Sequence, residues 1–218
     1  MITLAIEAAT YVGSAALVDG TRLLAERTVA MRGREHEALM PAVAELLAEA
    51  HVDVFTLGRI VCGEGPGAFT SLRIAGGIAK GLAFAGGVPI VPVSSLALIV
   101  ASHPLPAGDY LAVLDAMRGE HYARRFRVDA DGNVVLAGPV ALVPSGDLQA
   151  AAGEATVVGP GQPGTRSVDP HARGVTRLTN LIDATAPADL ASWEPAYGRL
   201  AEAQVRWEAA HGRPLVTS

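Results

Sequence analysis

The chain has 218 residues, of which 50% are hydrophobic and 18% charged, with a formal net charge of -5 at pH 7. That balance describes a compact folded chain rather than a disordered one, and it argues against a protein that wraps nucleic acid by itself, because such binding draws on clustered Lys and Arg. The single cysteine, Cys62, excludes an internal disulfide and any cysteine-rich zinc site.

The opening residues reach an acid, Glu7, with no basic leader before it, so no signal peptide is expected. Residues 2–7, 14–19 and 22–29 read as three strands, and Asp19-Gly20 is a two-residue hairpin turn, which makes them an antiparallel meander. In the turn after the first strand, Thr10 either offers a hydroxyl to a phosphate or closes the hairpin; the hairpin is the expectation. Residues 36–50 form the first long helix, with Leu39, Val43, Leu46, Leu47 and Ala50 on one apolar stripe and Pro41 in its first turn. His36 is followed four residues later by Met40, so no pair of imidazoles meets on that helix, and no metal site is expected.

A buried strand over residues 59–62 leads into a glycine-rich turn and then a helix with apolar positions Phe69, Leu72, Ile78, Leu82 and Phe84, stopped by Gly86-Gly87. Two readings of the turn stand side by side. Gly65 and Gly67, with Thr70 and Arg73, form a phosphate turn at a helix N-terminus; or the glycines only make room for a neighbouring element. Neither standard motif fits: Thr70 stands where a dinucleotide fingerprint has its third glycine, and Lys80, the sole lysine, is flanked by Ala79 and Gly81 instead of the P-loop residues. Arg73 either neutralises a phosphate or pairs with Glu7 or Glu64, and the ion pair is the expectation. Glu7 and Glu64 resemble a catalytic carboxylate pair, but a charge network is expected instead.

Residues 88–93 form a short strand, Ser94 caps a third helix through residue 101, and the prolines and serines in this run rule out a membrane span. The turn formers of residues 102–109 mark a domain boundary, giving lobes at 1–103 and 104–218. Strands follow at 110–114, 121–128 and 134–136, with a charged loop at 115–120. Arg124, Arg125 and Arg127 either meet RNA or an acidic partner or simply solubilise an exposed strand, the latter being expected. Later signals are weak: a strand near 155–158, a surface excursion up to residue 171, and short helices at 190–193 and 199–210, with packing of the last helix against the first lobe left open.

Several windows, in order, resemble the TsaB (YeaZ) family of tRNA threonylcarbamoyladenosine biosynthesis. They are Leu4-Ala5-Ile6-Glu7-Ala8-Ala9-Thr10, the central Gly65-Pro66-Gly67-Ala68-Phe69-Thr70-Ser71-Leu72-Arg73-Ile74 with Ala79-Lys80-Gly81-Leu82-Ala83, Val93-Ser94-Ser95-Leu96, Asp115-Ala116-Met117-Arg118-Gly119-Glu120, and Glu194-Pro195-x-Tyr197. The resemblance implies an α/β, actin-like ASKHA fold of two lobes with mixed sheets flanked by helices. It implies a non-catalytic subunit that binds and activates TsaD, with TsaE joining and a homodimer when alone; the single cysteine fits a reducing cytoplasm best, and the net charge of -5 leaves tRNA to be contacted only indirectly. It also implies a partner face on the first two helices, to which the stripe Leu39, Val43, Leu46 and Leu47 with Leu72 is assigned. Ala68, Ser71 and Ala75 stand where the family more often has Ser, Gly and Gly, which argues against close phosphate approach, so no cofactor is expected on this chain and nucleotide is expected, if at all, only in the complex. Glu7 stands where the family usually has Asp, and Ala8-Ala9 remove hydroxyl donors, in keeping with absent catalysis. The alternative is an ATP-dependent small-molecule kinase, or another ASKHA enzyme, using the Gly65-Gly67 turn. A metalloprotease lacks its histidine pair.

Overall fold

A computed structural model describes residues 1–33, 37–161, 166–198 and 211. The first sheet is built from β1 (Ile2–Glu7), β2 (Val12–Asp19), β3 (Arg22–Ala30), β4 (Arg59–Gly63) and β5 (Ile90–Val93), in the order β3-β2-β1-β4-β5. The meander β1-β2-β3 is antiparallel, while β4 lies parallel to β1 and β5 parallel to β4. Parallel neighbours need a crossover, and α2 (Phe69–Gly86) supplies the one from β4 to β5. It ends at Gly87, whose left-handed φ of 63° is the expected glycine stop.

The central strand is buried on both faces, and its alternation sorts the side chains. Leu4 and Ile6 join Leu17, Ile60 and Cys62 in a core under α1 (Leu39–Glu49) and α2, while Ala5 points to the opposite core. That second core runs through α3 (Ser95–Ala101) into the other half of the molecule. Every residue of α3 is buried, as expected of a short apolar helix with a sheet on either side. Ser94 sits at its N-cap position, but its hydroxyl makes no capping bond and has no partner, contrary to the expected cap.

The second sheet repeats the plan. It comprises β6 (Gly108–Asp115), β7 (Glu120–Val128), β8 (Val134–Leu136), β10 (Thr156–Gly159) and β11 (Arg166–Ser167), in the order β11-β10-β6-β7-β8, and β9 (Ala141–Pro144) pairs with the other end of β7. As in the first sheet, an antiparallel hairpin is extended by a parallel strand on the far side of its first member. This is the two-lobed actin-like α/β architecture. α4 (Leu148–Ala152) packs on its outer face over Leu111, Val113, Ala123 and Val157. A 3-10 helix, Ala172–Arg177, and α5 (Thr179–Ala184) then return to the first sheet.

Two later expectations change. The supposed surface excursion ends in buried Val168 and His171, because the 3-10 helix is stitched to the meander. Ser14 Oγ accepts from the Ala172 amide at 3.0 Å, Arg173 pairs with Glu26 at 3.0 Å, and His171 Nε2 lies 3.1 Å from Thr28 Oγ1. Residues 190–193 make a turn rather than a helix, and the second helix expected at 199–210 lies outside the described residues, as does His36.

Candidate functional site

The glycine turn is packed by the chain's own backbone. A Cβ on Gly63 would collide with the Glu7 carboxylate, one on Gly67 would collide with the Ala9 carbonyl, and one on Gly65, whose φ is +97°, would lie 2.6 Å from Ala196 O. Three of its amides are taken as well: Glu64 N donates to Val93 O at 2.9 Å, Gly65 N to Ser95 Oγ at 3.1 Å, and Ala68 N to Ala9 O at 2.7 Å. Of the two readings of Gly65 and Gly67, room for a neighbouring element is the one the geometry supports. Thr70 and Arg73 lie exposed on the following helix, away from that packed backbone.

Glu7 is fully enclosed at the end of β1. Its carboxylate accepts from Ala9 N at 2.5 Å and from the Ser95 hydroxyl at 2.8 Å, so one side chain links β1, the turn after it and the head of α3. Burial pushes its pKa up to about 7, against the pull of these hydrogen bonds. Burial also raises Glu64, opposed by the charge of Arg124 from the second sheet. The Cys62 thiol between them is driven upward, first by burial and then by Glu7 and Glu64, which makes it an inert core residue.

The expected pairing of Arg73 with Glu7 or Glu64 is not formed. Glu7 is walled off inside the core, and Arg73 projects outward with its guanidinium 5.5 Å from the Phe69 ring centroid. The basic strand is committed internally: Arg124 donates to Gly138 O at 2.7 Å, Arg125 to the Ala151 and Ala152 carbonyls at the end of α4, and Arg127 to Asp109 at 2.8 Å. Among the described residues no cluster of three or more His, Cys, Asp or Glu is arranged to hold a metal ion.

The apolar stripe assigned to the partner face points inward. Leu39, Val43 and Leu46 are fully buried against the first sheet and Leu47 is half-buried, while Leu72 is fully buried in the other core, with Leu96 and Tyr122. The outward face of α2 carries Arg73, Gly77, Gly81 and Phe84, at intervals of three or four residues, and Phe84 is 83% exposed. On α1 the exposed residues are Met40, Pro41, Ala44, Glu45, Ala48 and Glu49. The sequence reading placed Phe84 with the core positions; three residues on from Gly81 and two from Leu82, it falls instead on the exposed face of the helix.

Residues 188–198 form a strap across these elements. Ala188 N donates to Ile90 O at 2.8 Å, Lys80 Nζ to Trp193 O at 2.9 Å, and Ala196 N to Glu64 O at 2.7 Å. Pro195 lies against Gly76, and the Tyr197 ring sits 4.6 Å from that of Phe69. The strap thus joins the turn to the exposed helix.

Bacillus subtilis TsaB, named a tRNA threonylcarbamoyladenosine biosynthesis protein, is 29% identical over 95% of this chain and 98% of its own length. A solved Pseudomonas aeruginosa structure, described as uncharacterised with similarity to peptidase YEAZ, superposes with a TM-score of 0.77 at 30% identity, covering 91% of this chain and 99% of that one. The chain belongs to the TsaB (YeaZ) family. A second solved structure, YeaZ from Pseudomonas aeruginosa, gives a TM-score of 0.73 at 28% identity, over 90% of this chain and 99% of that chain. Escherichia coli TsaB is 35% identical over 61% of this chain and 58% of its own. Residues 29–147 also match the family model described as "TsaD: tRNA N6-adenosine threonylcarbamoyltransferase". The TsaB-family likeness therefore spans both sheets. Among the described residues no helix is long and apolar enough to cross a membrane.

Proposed function

We propose that this TsaB-family chain is a non-catalytic cytoplasmic subunit that binds TsaD and activates it for threonylcarbamoyl transfer to tRNA adenosine. The observation that carries the reading is the contrast between the two ends of one element. The turn before α2 is crowded on the Cβ side of Gly65 and Gly67 by Ala196 and Ala9, so the glycines there serve the chain's own packing, while the outer face of α2 leaves Phe84 in water. In this proposal the outward faces of α1 and α2, not the buried leucines, meet TsaD or, in its absence, a second copy of the chain. TsaE joins through the complex, tRNA is contacted indirectly, and nucleotide enters only with the partner. The kinase alternative needs the turn whose glycines serve that packing.

Co-expression with TsaD, followed by gel filtration with light scattering and a tRNA modification assay, tests the reading. The expected result is co-elution and modification that depends on both chains. Phe84→Asp, which leaves the core untouched, should weaken the complex by about tenfold or more, the worth of one buried aromatic side chain. Failure of the two proteins to associate, or substrate turnover by the purified chain without TsaD, refutes it.

A further inference from the structure

Between α2 and the strap lies a cleft of about 150 Å³, floored by Gly76 and Gly77 and walled by Arg73, Lys80, Glu194 and Pro195. The charges that line it are two cations against one acid; Asp189, which feels the charge of Lys80, stands outside the lining with its carboxylate accepting from Ala191 N and Ser192 Oγ. Lys80 gives one proton to Trp193 O, leaving two of the three donors of its ammonium group. Its nearest carboxylate is Glu194 at 4.0 Å, a side chain 67% exposed whose other oxygen accepts from the Tyr197 hydroxyl at 2.9 Å. Arg73 forms no ion pair with a described carboxylate, and α2 carries no acid of its own. Gly77 has no neighbour within 4 Å of the place a Cβ would take, so the floor is open from outside. Lys80 and Phe84 are one helical turn apart, so a protein that covers Phe84 passes over the cleft mouth.

We propose that the cleft receives a carboxylate side chain of the docked protein, which displaces Glu194 as counter-ion of Lys80 and recruits Arg73. This rests on the reading of the α2 outer face as the docking surface. A protein carboxylate fits better than a free phosphate because the floor is mid-helix backbone, whose amides are spent within the helix. Glu194 is then a built-in competitor, and that fixes an unusual pair of signs: removing the cations weakens docking, while removing the strap's own acid strengthens it.

Calorimetric titration of purified TsaD tests this with three variants, each checked for an unchanged circular dichroism melt. Arg73→Gln with Lys80→Gln, where glutamine keeps a donor for Trp193 O, should weaken binding about tenfold and flatten its salt dependence. Glu194→Gln should tighten it about threefold. Wild-type affinity in both, or weakening by Glu194→Gln, overturns the proposal. Phe84→Asp separates the two levels: if it abolishes binding while the neutralised variants bind like wild type, only the cleft assignment falls, and if it binds like wild type the docking face falls with it. Competition by millimolar inorganic phosphate at matched ionic strength would make the cleft a small-anion site and overturn the assignment. So would charge variants that lose self-association in light scattering but keep TsaD.

Discussion

Glu7→Gln isolates the one fully buried carboxyl in the turn region. Burial raises its pKa from 4.5 to about 7 in the folded chain. A group raised in this way binds its proton more tightly when folded. Its stabilising contribution is complete below the unfolded value near 4.5 and is lost as pH climbs through 7. At 1.36 kcal/mol per pKa unit the swing is on the order of 3 kcal/mol between pH 4.5 and 8. Glutamine is neutral throughout and keeps an oxygen for the Ala9 amide, so its stability does not carry this swing. The Ser95 hydroxyl, which donates to Glu7 and accepts from Gly65 N, must reorient, at a roughly constant cost of about 1 kcal/mol. Urea unfolding of both proteins at pH 5, 6, 7 and 8 gives a difference curve in which groups common to both cancel. That curve should move in favour of the variant by about 2 to 3 kcal/mol from pH 5 to pH 8. For a chain of this size that is several degrees of Tm. Parallel stability profiles for the two proteins would mean that Glu7 is not held neutral by its surroundings, and the reasoning fails.

Other perturbations should separate the glycines by their contacts. Gly67→Ala drives a methyl into the Ala9 backbone and should destabilise by about 2 kcal/mol or more, whereas Gly77→Ala, in open space on α2, should stabilise by up to about 1 kcal/mol through helix propensity; denaturant midpoints decide both. His171 accepts the Arg173 amide on Nδ1 at 3.0 Å, which leaves Nε2 to donate to Thr28, and burial, followed by the charge of Arg173, lowers its pKa to about 4. The unfolded chain therefore binds more protons between pH 6.5 and 4, so wild type should lose stability over that fall, and His171→Gln should lose less of it in thermal scans. Tyr197→Ala removes the ring contact with Phe69 and should speed amide exchange over residues 188–198 while leaving β1 peptides protected, as exchange mass spectrometry would report.

What could be read in advance followed the reach of each signal. Asp19-Gly20 and the alternation around it fix the meander within a few residues, and the Gly86-Gly87 stop needs only local backbone chemistry. The stripe on α1 was visible as a stripe, but Leu39, Val43 and Leu46 look the same whether a sheet or a second protein covers them; the sheet does. Arg73 had two acids within plausible reach in sequence terms, and only the tertiary fold places Glu7 behind a wall. Beyond Leu136 the elements are four to six residues long in β9, α4 and α5, too short for periodicity to repeat, so burial of His171 and the return of the chain to β2 had no local mark. The window Glu194-Pro195-x-Tyr197 stood out by family likeness alone, and its contacts with Gly65, Gly76 and Lys80 reach back across the whole second lobe.

That long reach bears on synthesis. The first sheet has all its strands by Val93, yet Ile90 O, Glu64 O and Lys80 wait for groups that emerge only after the second sheet has been made. A nascent chain thus presents an unsealed seam along α2 and β5 while translation continues. The late-arriving peptide that closes it also delivers Glu194 and Tyr197, so the helix gains this part of its surface in the same step that seals the seam.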